Sequence, residues 1–389
     1  MNERTILAIP GPISVDPAVL RALSKPTLSH SDPEFIEIFS ETLKGLRKIF
    51  FCNSGQAFVV AGSGTLAMEM AVVNFIERGD RLLVVNTGYF GERFVEIFSR
   101  YGVEIDQLTV PIGHAPSKEQ VREALEKEDY KILTAQHVDT SSGVANDIKG
   151  IGEVASDFDT LTIVDGVCSI AGCEFRQDDW NIDVCFTGSQ KAIGVPPGLA
   201  IVMASEHALE VLKERKTPVP NYYCDLSRWL PIMQSYEECG KGYFATPPVN
   251  MIYALRESVK QILAEGMERR YRRHSIMSRA VKNSIRALGL ECIPASDKVS
   301  AQTLTAPYYP TQVKGDEFLA KVREEDVILA GGLLRDLRDR YFRVAHMGTM
   351  GSSDILAVVG AIEKGLDACG YKFKRGIGLT AAGEILAEL

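Results

Sequence analysis

Residues 62–65, Gly-Ser-Gly-Thr, have a composition suited to binding an anion and lie between a predicted strand and a predicted helix. Glycines let the backbone approach a ligand closely, and a helix that begins near Thr65 aims unpaired N–H groups at it. The hydroxyl of Ser63 adds a donor. The segment indicates a phosphate site, with a tight strand-to-helix turn as the alternative. The dinucleotide fingerprint GxGxxG is incomplete, because Ala67 and Met68 stand where its last glycine would fall.

One acidic and one basic residue each follow a β-like segment. Asp165 closes the run 161–164, and the carboxyl ends of parallel strands are where open α/β sheets bind ligands. A carboxylate there is suited to pair with a protonated ring nitrogen, with a helix cap or a loop ion pair as the alternative. Lys191 follows a later β-like segment, where loss of water would lower its pKa and activate its amine. An exposed lysine at a strand end is the alternative.

The elements that must position these residues alternate between β-branched runs and helical patterns. Predicted strands cover residues 58–61, 82–85, 105–110, 132–135, 161–164, 186–188 and 199–203. Predicted helices cover residues 33–50, 65–76, 92–101, 118–128 and 148–158. This alternation predicts an α/β fold with a mostly parallel, doubly wound sheet that is covered by helices on both faces.

From about residue 248 the pattern changes. Predicted helices cover 251–266, 268–288, 316–324 and 354–369, and short strands cover 303–305, 327–329 and 342–344. We therefore predict an N-terminal arm (1–20), a large domain (21–265) and a smaller α+β domain (266–389). The basic run over 269–274 is predicted to be the solvated face of a helix and not a phosphate or nucleic-acid site.

The composition limits the class of protein. The chain has 389 residues, a formal net charge of −8 and eight cysteines. An acidic balance disfavours binding to nucleic acid or to anionic membranes. The cysteines form no CxxC pair and no apolar run is as long as a membrane span, so we predict neither a metal site nor a membrane segment. Because we find no secretory or SKL signal, we expect a cytoplasmic enzyme.

The three candidate sites together supply the parts that bind pyridoxal 5′-phosphate: a phosphate site, a carboxylate for the ring nitrogen and an activated lysine. The chain also resembles the class V aminotransferases, specifically the alanine–glyoxylate/serine–pyruvate branch. The resemblance rests on motifs in the family's order: AGSGTLAMEMA, NTGYFGERF, HVDTSSGV, VDGVCSIAG, TGSQKAIGVPPGLA, GKGYFATPPV and FRVAHMG. It implies the type I fold of these enzymes.

The resemblance implies a role for each matching residue. Lys191 would bind the cofactor covalently and then act as the general base, and Asp165 would keep the ring nitrogen protonated. Phe90 would stack on the ring. Thr140 would lie near the ring hydroxyl and the substrate carboxylate, and Arg343 would bind that carboxylate through a bidentate pair.

The other implied contacts concern the phosphate, the ring and the substrate. Val167 would lie under the ring, and Gly11 would contact the substrate. The phosphate would be bound by Ser63, Gly64, Thr65 and Gln190, with Tyr243 and Thr246 reaching it across a dimer interface. The resemblance thus implies a homodimer whose active sites are shared between subunits.

The implied reaction transfers an amino group from alanine or serine to glyoxylate and gives glycine with pyruvate or hydroxypyruvate. Some relatives carry His at the position of Thr65 or Trp at the position of Phe90. Gln190 replaces the His that precedes the lysine in cysteine desulfurases, which disfavours that activity. Pyridoxamine–pyruvate transamination, aminoethylphosphonate transamination, a lyase reaction and a non-catalytic cofactor-binding role remain alternatives. The first binds free pyridoxamine and would not need an intact phosphate site.

Overall fold

The computed structural model describes residues 5–389, and these contain fourteen strands and thirteen α-helices. The strands are β1 (Ile6–Leu7), β2 (Gln56–Ala61), β3 (Arg81–Asn86), β4 (Glu104–Thr109), β5 (Ile132–Gln136), β6 (Val138–Asp139), β7 (Val144–Ala145), β8 (Leu161–Asp165), β9 (Val184–Gly188), β10 (Leu199–Ala204), β11 (Leu304–Thr305), β12 (Val327–Ile328), β13 (Ala330–Gly331) and β14 (Phe342–Ala345).

The helices are α1 (Pro17–Leu23), α2 (Pro33–Phe50), α3 (Gly64–Val73), α4 (Tyr89–Phe98), α5 (Lys118–Leu125), α6 (Ile148–Ala155), α7 (Glu206–Lys213), α8 (Leu226–Glu237), α9 (Val249–Glu265), α10 (Met267–Ala287), α11 (Gly315–Glu324), α12 (Ser352–Ala368) and α13 (Ile377–Leu386). Several start where a side chain caps the first free N–H groups: Asp32 caps α2, and Ser63 caps α3.

The central sheet has seven strands in the order β2-β10-β9-β8-β5-β3-β4. All neighbouring pairs are parallel except the two that involve β10, which runs antiparallel to β2 and β9. Strands β5, β8, β9 and β10 are buried along their whole length, as expected for a sheet that is covered on both faces. The mostly parallel α/β fold predicted from the sequence is confirmed.

A second apolar core lies outside the central sheet. It contains Phe318, Phe342 and Ile355, among other buried side chains of α10, α11, α12 and β14. Strand β1 reaches this core because it pairs in parallel with β12, so the N-terminal segment crosses from one core to the other. The domain boundaries after residues 20 and 265 stay a prediction.

The basic run over residues 269–274 is only in part the solvated helix face that we predicted, because Arg269 and Arg272 are exposed but Arg270 is not. Arg270 is buried, and its guanidinium donates to the carbonyls of Ala171 and Ala192, both at 2.7 Å, and pairs with Glu265. The prediction was wrong for Arg270 because this side of α10 packs against the turn that follows Lys191. A buried guanidinium there satisfies carbonyl groups that have no other donor nearby.

The other differences from the predicted elements are a shifted helix start and several helices that were missed. Helix α4 begins at Tyr89, three residues before the predicted start, so its first turn carries Phe90. Helices α1, α7, α8 and α13 were not predicted. In α8 the interior Pro231 obscured a helical spacing of buried Leu226, Trp229 and Met233. No helix within residues 5–389 is both long enough and apolar enough to cross a membrane.

Candidate active site

A cavity of about 180 Å³ opens at the carboxyl ends of β2, β3, β5, β8 and β9. Ligands bind at this edge of open α/β sheets because the loops that leave the strands surround it. Nine residues predicted from the sequence line this cavity, together with two that were not, Met68 and Arg93. The predicted nine are Ser63, Gly64, Thr65, Phe90, Thr140, Asp165, Val167, Gln190 and Lys191.

Lys191 lies in the turn after β9 and is buried. Its Nζ donates to the carbonyl oxygen of Pro10, which the N-terminal segment brings across the cavity. Burial lowers the pKa of Lys191 below its ordinary value, the Arg343 charge acts in the same direction, and Asp165 opposes them. Because its pKa is lowered, a larger fraction of such a buried amine is neutral at a given pH, and the neutral amine is the form that acts as a nucleophile or base.

Asp165 is the last residue of β8 and is also buried. Its Oδ1 accepts a hydrogen bond from the N–H of Val167 at 2.8 Å. Burial raises the pKa of Asp165 to about 7, and nearby Asp139 adds to the rise, whereas the Val167 hydrogen bond and Lys191 oppose it. The ionised form of this carboxylate therefore lacks a strong cationic partner, and a protonated ring nitrogen in the cavity would supply one.

The part of the cavity formed by the start of α3 carries hydrogen-bond donors for an anion. Helix α3 begins at Gly64, and the Ser63 hydroxyl accepts from the N–H of Leu66 at 3.4 Å. The N–H groups of the first helical turn have no partner within the helix, and the helix dipole places positive potential there. Gln190 lines the same cavity, and its side-chain Nε2 can donate to an anion, whereas its Oε1 is an acceptor that is buried without a hydrogen-bond partner in the described part of the chain. These donors fit a phosphate group.

Phe90 is held by Asp139, a residue that we did not predict to be part of the site. Asp139 is fully buried, and its Oδ2 accepts from the N–H of Phe90 at 3.1 Å, while its Oδ1 accepts from the N–H of Ser141. Burial raises the pKa of Asp139, and its hydrogen bonds oppose the rise. The position of Asp139 in the motif HVDTSSGV is the sequence signal that could have identified it as part of the site. Asp139 therefore orients the aromatic side chain that faces the cavity.

Arg343, on β14, is half-buried next to Thr140, which lines the cavity. Its Nε donates to the carbonyl of Gly331 at 2.9 Å and its Nη1 to the carbonyl of Thr140 at 3.2 Å. No carboxylate within residues 5–389 forms an ion pair with it, and burial lowers the pKa of its guanidinium. A buried cation without an anion is costly, so this position favours an anionic ligand.

Four predicted residues lie outside the cavity lining: Arg343, described above, and Gly11, Tyr243 and Thr246. Gly11 is next to Lys191: a Cβ added to Gly11 would lie 2.6 Å from the lysine Cδ. Tyr243 is 63% exposed and Thr246 is also exposed. Because the structure describes one chain, the predicted contact of Tyr243 and Thr246 with a phosphate across a dimer interface stays a prediction.

The fold and the site together define a class of protein. A mostly parallel sheet that brings a buried lysine, a buried carboxylate and a helix N-terminus to its carboxyl edge is the type I fold of pyridoxal-phosphate-dependent transferases. The aminotransferase class-V family matches residues 20–333. This chain belongs to that family, as predicted, and its cofactor is pyridoxal 5′-phosphate. The donors around Ser63, the Asp165 carboxylate and the Lys191 amine fit the phosphate, ring nitrogen and aldehyde of this cofactor.

Individual relatives are similar along the whole chain. An uncharacterized aminotransferase of Methanocaldococcus jannaschii is 37% identical over 386 residues, which cover 99% of this chain and 98% of that protein. Alanine–glyoxylate aminotransferase 1 of Saccharomyces cerevisiae is 39% identical over 88% of this chain and 91% of its own. The crystal structure of ureidoglycine–glyoxylate aminotransferase from Bacillus subtilis has a TM-score of 0.93, with 30% identity over 100% of this chain and 99% of that one.

Proposed function

We propose that this aminotransferase transfers the amino group of alanine or serine to glyoxylate. The position of Arg343 is the observation that best supports this proposal. Its guanidinium contacts the carbonyl of Thr140 and has no carboxylate partner in residues 5–389. Thr140 lines the same cavity as Lys191. The guanidinium is therefore near enough to bind the carboxylate of a small amino acid whose α-carbon faces the lysine.

Lys191 and Asp165 are proposed to perform the chemistry. When bound, the cofactor supplies an aldehyde that takes up the amino group and a ring that stabilises negative charge on the substrate α-carbon. Lys191 would hold the cofactor through its side-chain amine, and the same amine, when free, would take up and return the proton of the substrate α-carbon. Asp165 would accept a hydrogen bond from the protonated ring nitrogen, and its negative charge would keep that nitrogen protonated. Glycine and pyruvate, or hydroxypyruvate, are the products.

The cavity lining supports the proposed contacts of the cofactor. We assign the phosphate to the N-terminus of α3 and the ring to the space between Phe90 and Val167. The exposure of Tyr243 and Thr246 supports the part of the proposal that concerns a homodimer, because exposed side chains are free to enter a neighbouring subunit's site. A cytoplasmic location remains an expectation.

Two observations support these substrates: the names of relatives favour glyoxylate, and the charges near Arg343 disfavour an aminoethylphosphonate donor. The yeast and Bacillus relatives are both named for glyoxylate as a substrate. The aminoethylphosphonate alternative needs additional cations near Arg343. The larger cavity beside Arg343 contains Arg338 and Lys314, but it also contains three carboxylates, Asp316, Glu317 and Asp339. Such a mixed lining does not favour a doubly charged phosphonate.

The test follows the absorbance of the purified protein. We expect a yellow protein that loses its colour when alanine is added and regains it with glyoxylate. Bleaching by cysteine or by a phosphonate but not by alanine or serine would contradict the proposed substrates. A colourless protein that takes up no pyridoxal 5′-phosphate would contradict the enzymatic role itself and would favour a non-catalytic paralogue. Serine added in place of alanine ranks the two donors by the rate of bleaching.

A further inference from the structure

Arg93 is the second basic residue of the cavity and has no role so far. Of the eleven lining residues in the described part of the chain, Lys191 and Arg93 are basic. Arg93 lies on α4 and is half-buried. It forms no ion pair with a carboxylate of residues 5–389, whereas twelve other arginines in this part of the chain do. Its charge is therefore available to a ligand in the cavity.

The contacts of Arg93 direct this charge to the phosphate end. Its Nη1 donates to the Thr65 hydroxyl at 3.2 Å, and Thr65 is in the first turn of α3. Its Nη2 donates to the Tyr89 hydroxyl at 3.4 Å, and its guanidinium carbon lies 4.8 Å from the centre of the Phe90 ring. Two of the five N–H donors of the guanidinium are used, which leaves donors free for phosphate oxygens.

The charge balance of the site requires such a group. A phosphate monoester carries a charge of about −1.5 to −2 at pH 7, whereas a helix N-terminus supplies only about +0.5. Hydroxyl groups from Ser63 and Thr65 carry no charge, and Lys191 is committed to the aldehyde end. Arg343 is held on the other side through Thr140. Among the cavity-lining residues of positions 5–389, Arg93 is the remaining cation that can balance the phosphate.

We propose that Arg93 is a cofactor-binding residue whose positive charge binds the phosphate of pyridoxal 5′-phosphate next to the N-terminus of α3. This inference rests on the proposed position of the phosphate. It assigns to Arg93 a role in cofactor affinity and not in the recognition of a substrate carboxylate, which Arg343 performs.

The test compares two ligands that share the aldehyde and the ring but differ in the phosphate. Binding of pyridoxal 5′-phosphate and of pyridoxal to the full-length protein freed of cofactor is titrated by absorbance and by quenching of intrinsic fluorescence. In the wild type we expect the phosphorylated ligand to bind much more tightly. In Arg93→Gln the ratio of the two affinities should fall about 10- to 100-fold, because a charge-assisted contact with the phosphate is lost.

Two variants serve as controls. Arg93→Lys keeps the charge and should restore much of the ratio, although the planar fork is lost. Arg100→Gln removes an exposed arginine from just beyond α4 and should leave the ratio unchanged. Thermal unfolding of each cofactor-free variant shows whether the fold is intact before affinities are compared.

Other outcomes overturn the inference. If Arg93→Gln weakens both ligands equally, Arg93 acts only by supporting Phe90 or Thr65, and the inference is wrong. If the ratio is unchanged while KM rises for a dicarboxylic donor alone, Arg93 binds substrate. If the wild type itself does not distinguish the two ligands, the proposed phosphate position fails as well, so the two failures can be told apart.

Discussion

A Cβ atom added to Gly11 would lie 2.6 Å from Cδ of Lys191. The N-terminal segment is therefore in direct contact with the residue proposed to perform the chemistry, and Gly11 has a φ of +107°, which favours glycine. The loop that carries Lys191 and the segment around Gly11 can be packed this closely only while position 11 lacks a side chain.

Gly11→Ala should reduce kcat/KM for alanine about 100-fold, because the lysine must move by about an ångström. Gly79→Ala is the matched control: Gly79 also has a positive φ, +92°, but no atom lies within 4 Å of an added Cβ. Both variants should lose about 1 kcal/mol or more of stability through backbone strain, as measured by chemical denaturation. Equal activity in the two variants would contradict the proposed contact.

Lys191→Ala should retain pyridoxal 5′-phosphate through the phosphate and ring contacts but lose turnover. A proton transfer by a positioned base contributes about 10²- to 10⁴-fold, so at least this loss is expected. Bound cofactor is measured by absorbance after gel filtration, and turnover with alanine and glyoxylate. The exposed Lys213→Ala is the control. Substantial transamination by Lys191→Ala would place the base elsewhere.

Asp165→Asn should change how stability depends on pH in the cofactor-free protein. The folded-state pKa of Asp165 is about 7, whereas the ordinary value is 3.8, so the folded state holds this proton more strongly than the unfolded state. The wild type therefore loses stability as pH rises between these values, by about 2–3 kcal/mol from pH 5 to pH 8. The Asn variant has no such proton. Denaturation at both pH values should show that the free energy of unfolding of the Asn variant, relative to that of the wild type, rises by this amount from pH 5 to pH 8.

Comparison between the two proteins removes the effect of other titrating groups. His137, for example, is buried with its pKa lowered to about 4, which destabilises both proteins equally as pH falls. With cofactor bound, the same substitution should lower the transamination rate because the ring nitrogen loses its anionic partner. A stability difference that does not vary with pH would show that the Asp165 carboxyl is ionised throughout.

Arg343→Gln should raise KM for alanine and glyoxylate and lower kcat/KM by about 10²- to 10³-fold, because two charge-assisted hydrogen bonds to the carboxylate are lost. The affinity for pyridoxal 5′-phosphate should not change. Arg338→Gln is the matched control, since Arg338 lines the neighbouring cavity but is exposed. An equal loss in both variants would mean that general positive charge, and not the Arg343 contact, binds the substrate.

Arg270→Gln should destabilise the fold by about 3–5 kcal/mol. The substitution leaves the carbonyls of Ala171 and Ala192 without their donor and leaves Glu265 with one cation fewer. The neighbouring Arg269→Gln should cost less than about 0.5 kcal/mol because Arg269 is exposed. Thermal and chemical denaturation measure both. Similar stabilities would contradict the structural role of the buried guanidinium.

The sequence by itself determined the features that local composition encodes. Glycines and a hydroxyl before a helix indicated the anion site at residues 62–65, and strand ends indicated Asp165 and Lys191. Alternating strand and helix patterns indicated the mostly parallel sheet, since a buried strand and an amphipathic helix each have a characteristic spacing. The aminotransferase family followed from the order of the motifs.

Only the tertiary structure decided which residues surround these groups. Arg93 contacts Thr65 from another helix, and Lys191 contacts the carbonyl of Pro10 from across the chain. Arg270 is buried although its basic neighbours suggested an exposed face. Such contacts join segments that are distant in sequence, and they form because apolar faces must pack together. No local pattern encodes them, since burial and the partners of a side chain depend on the whole fold.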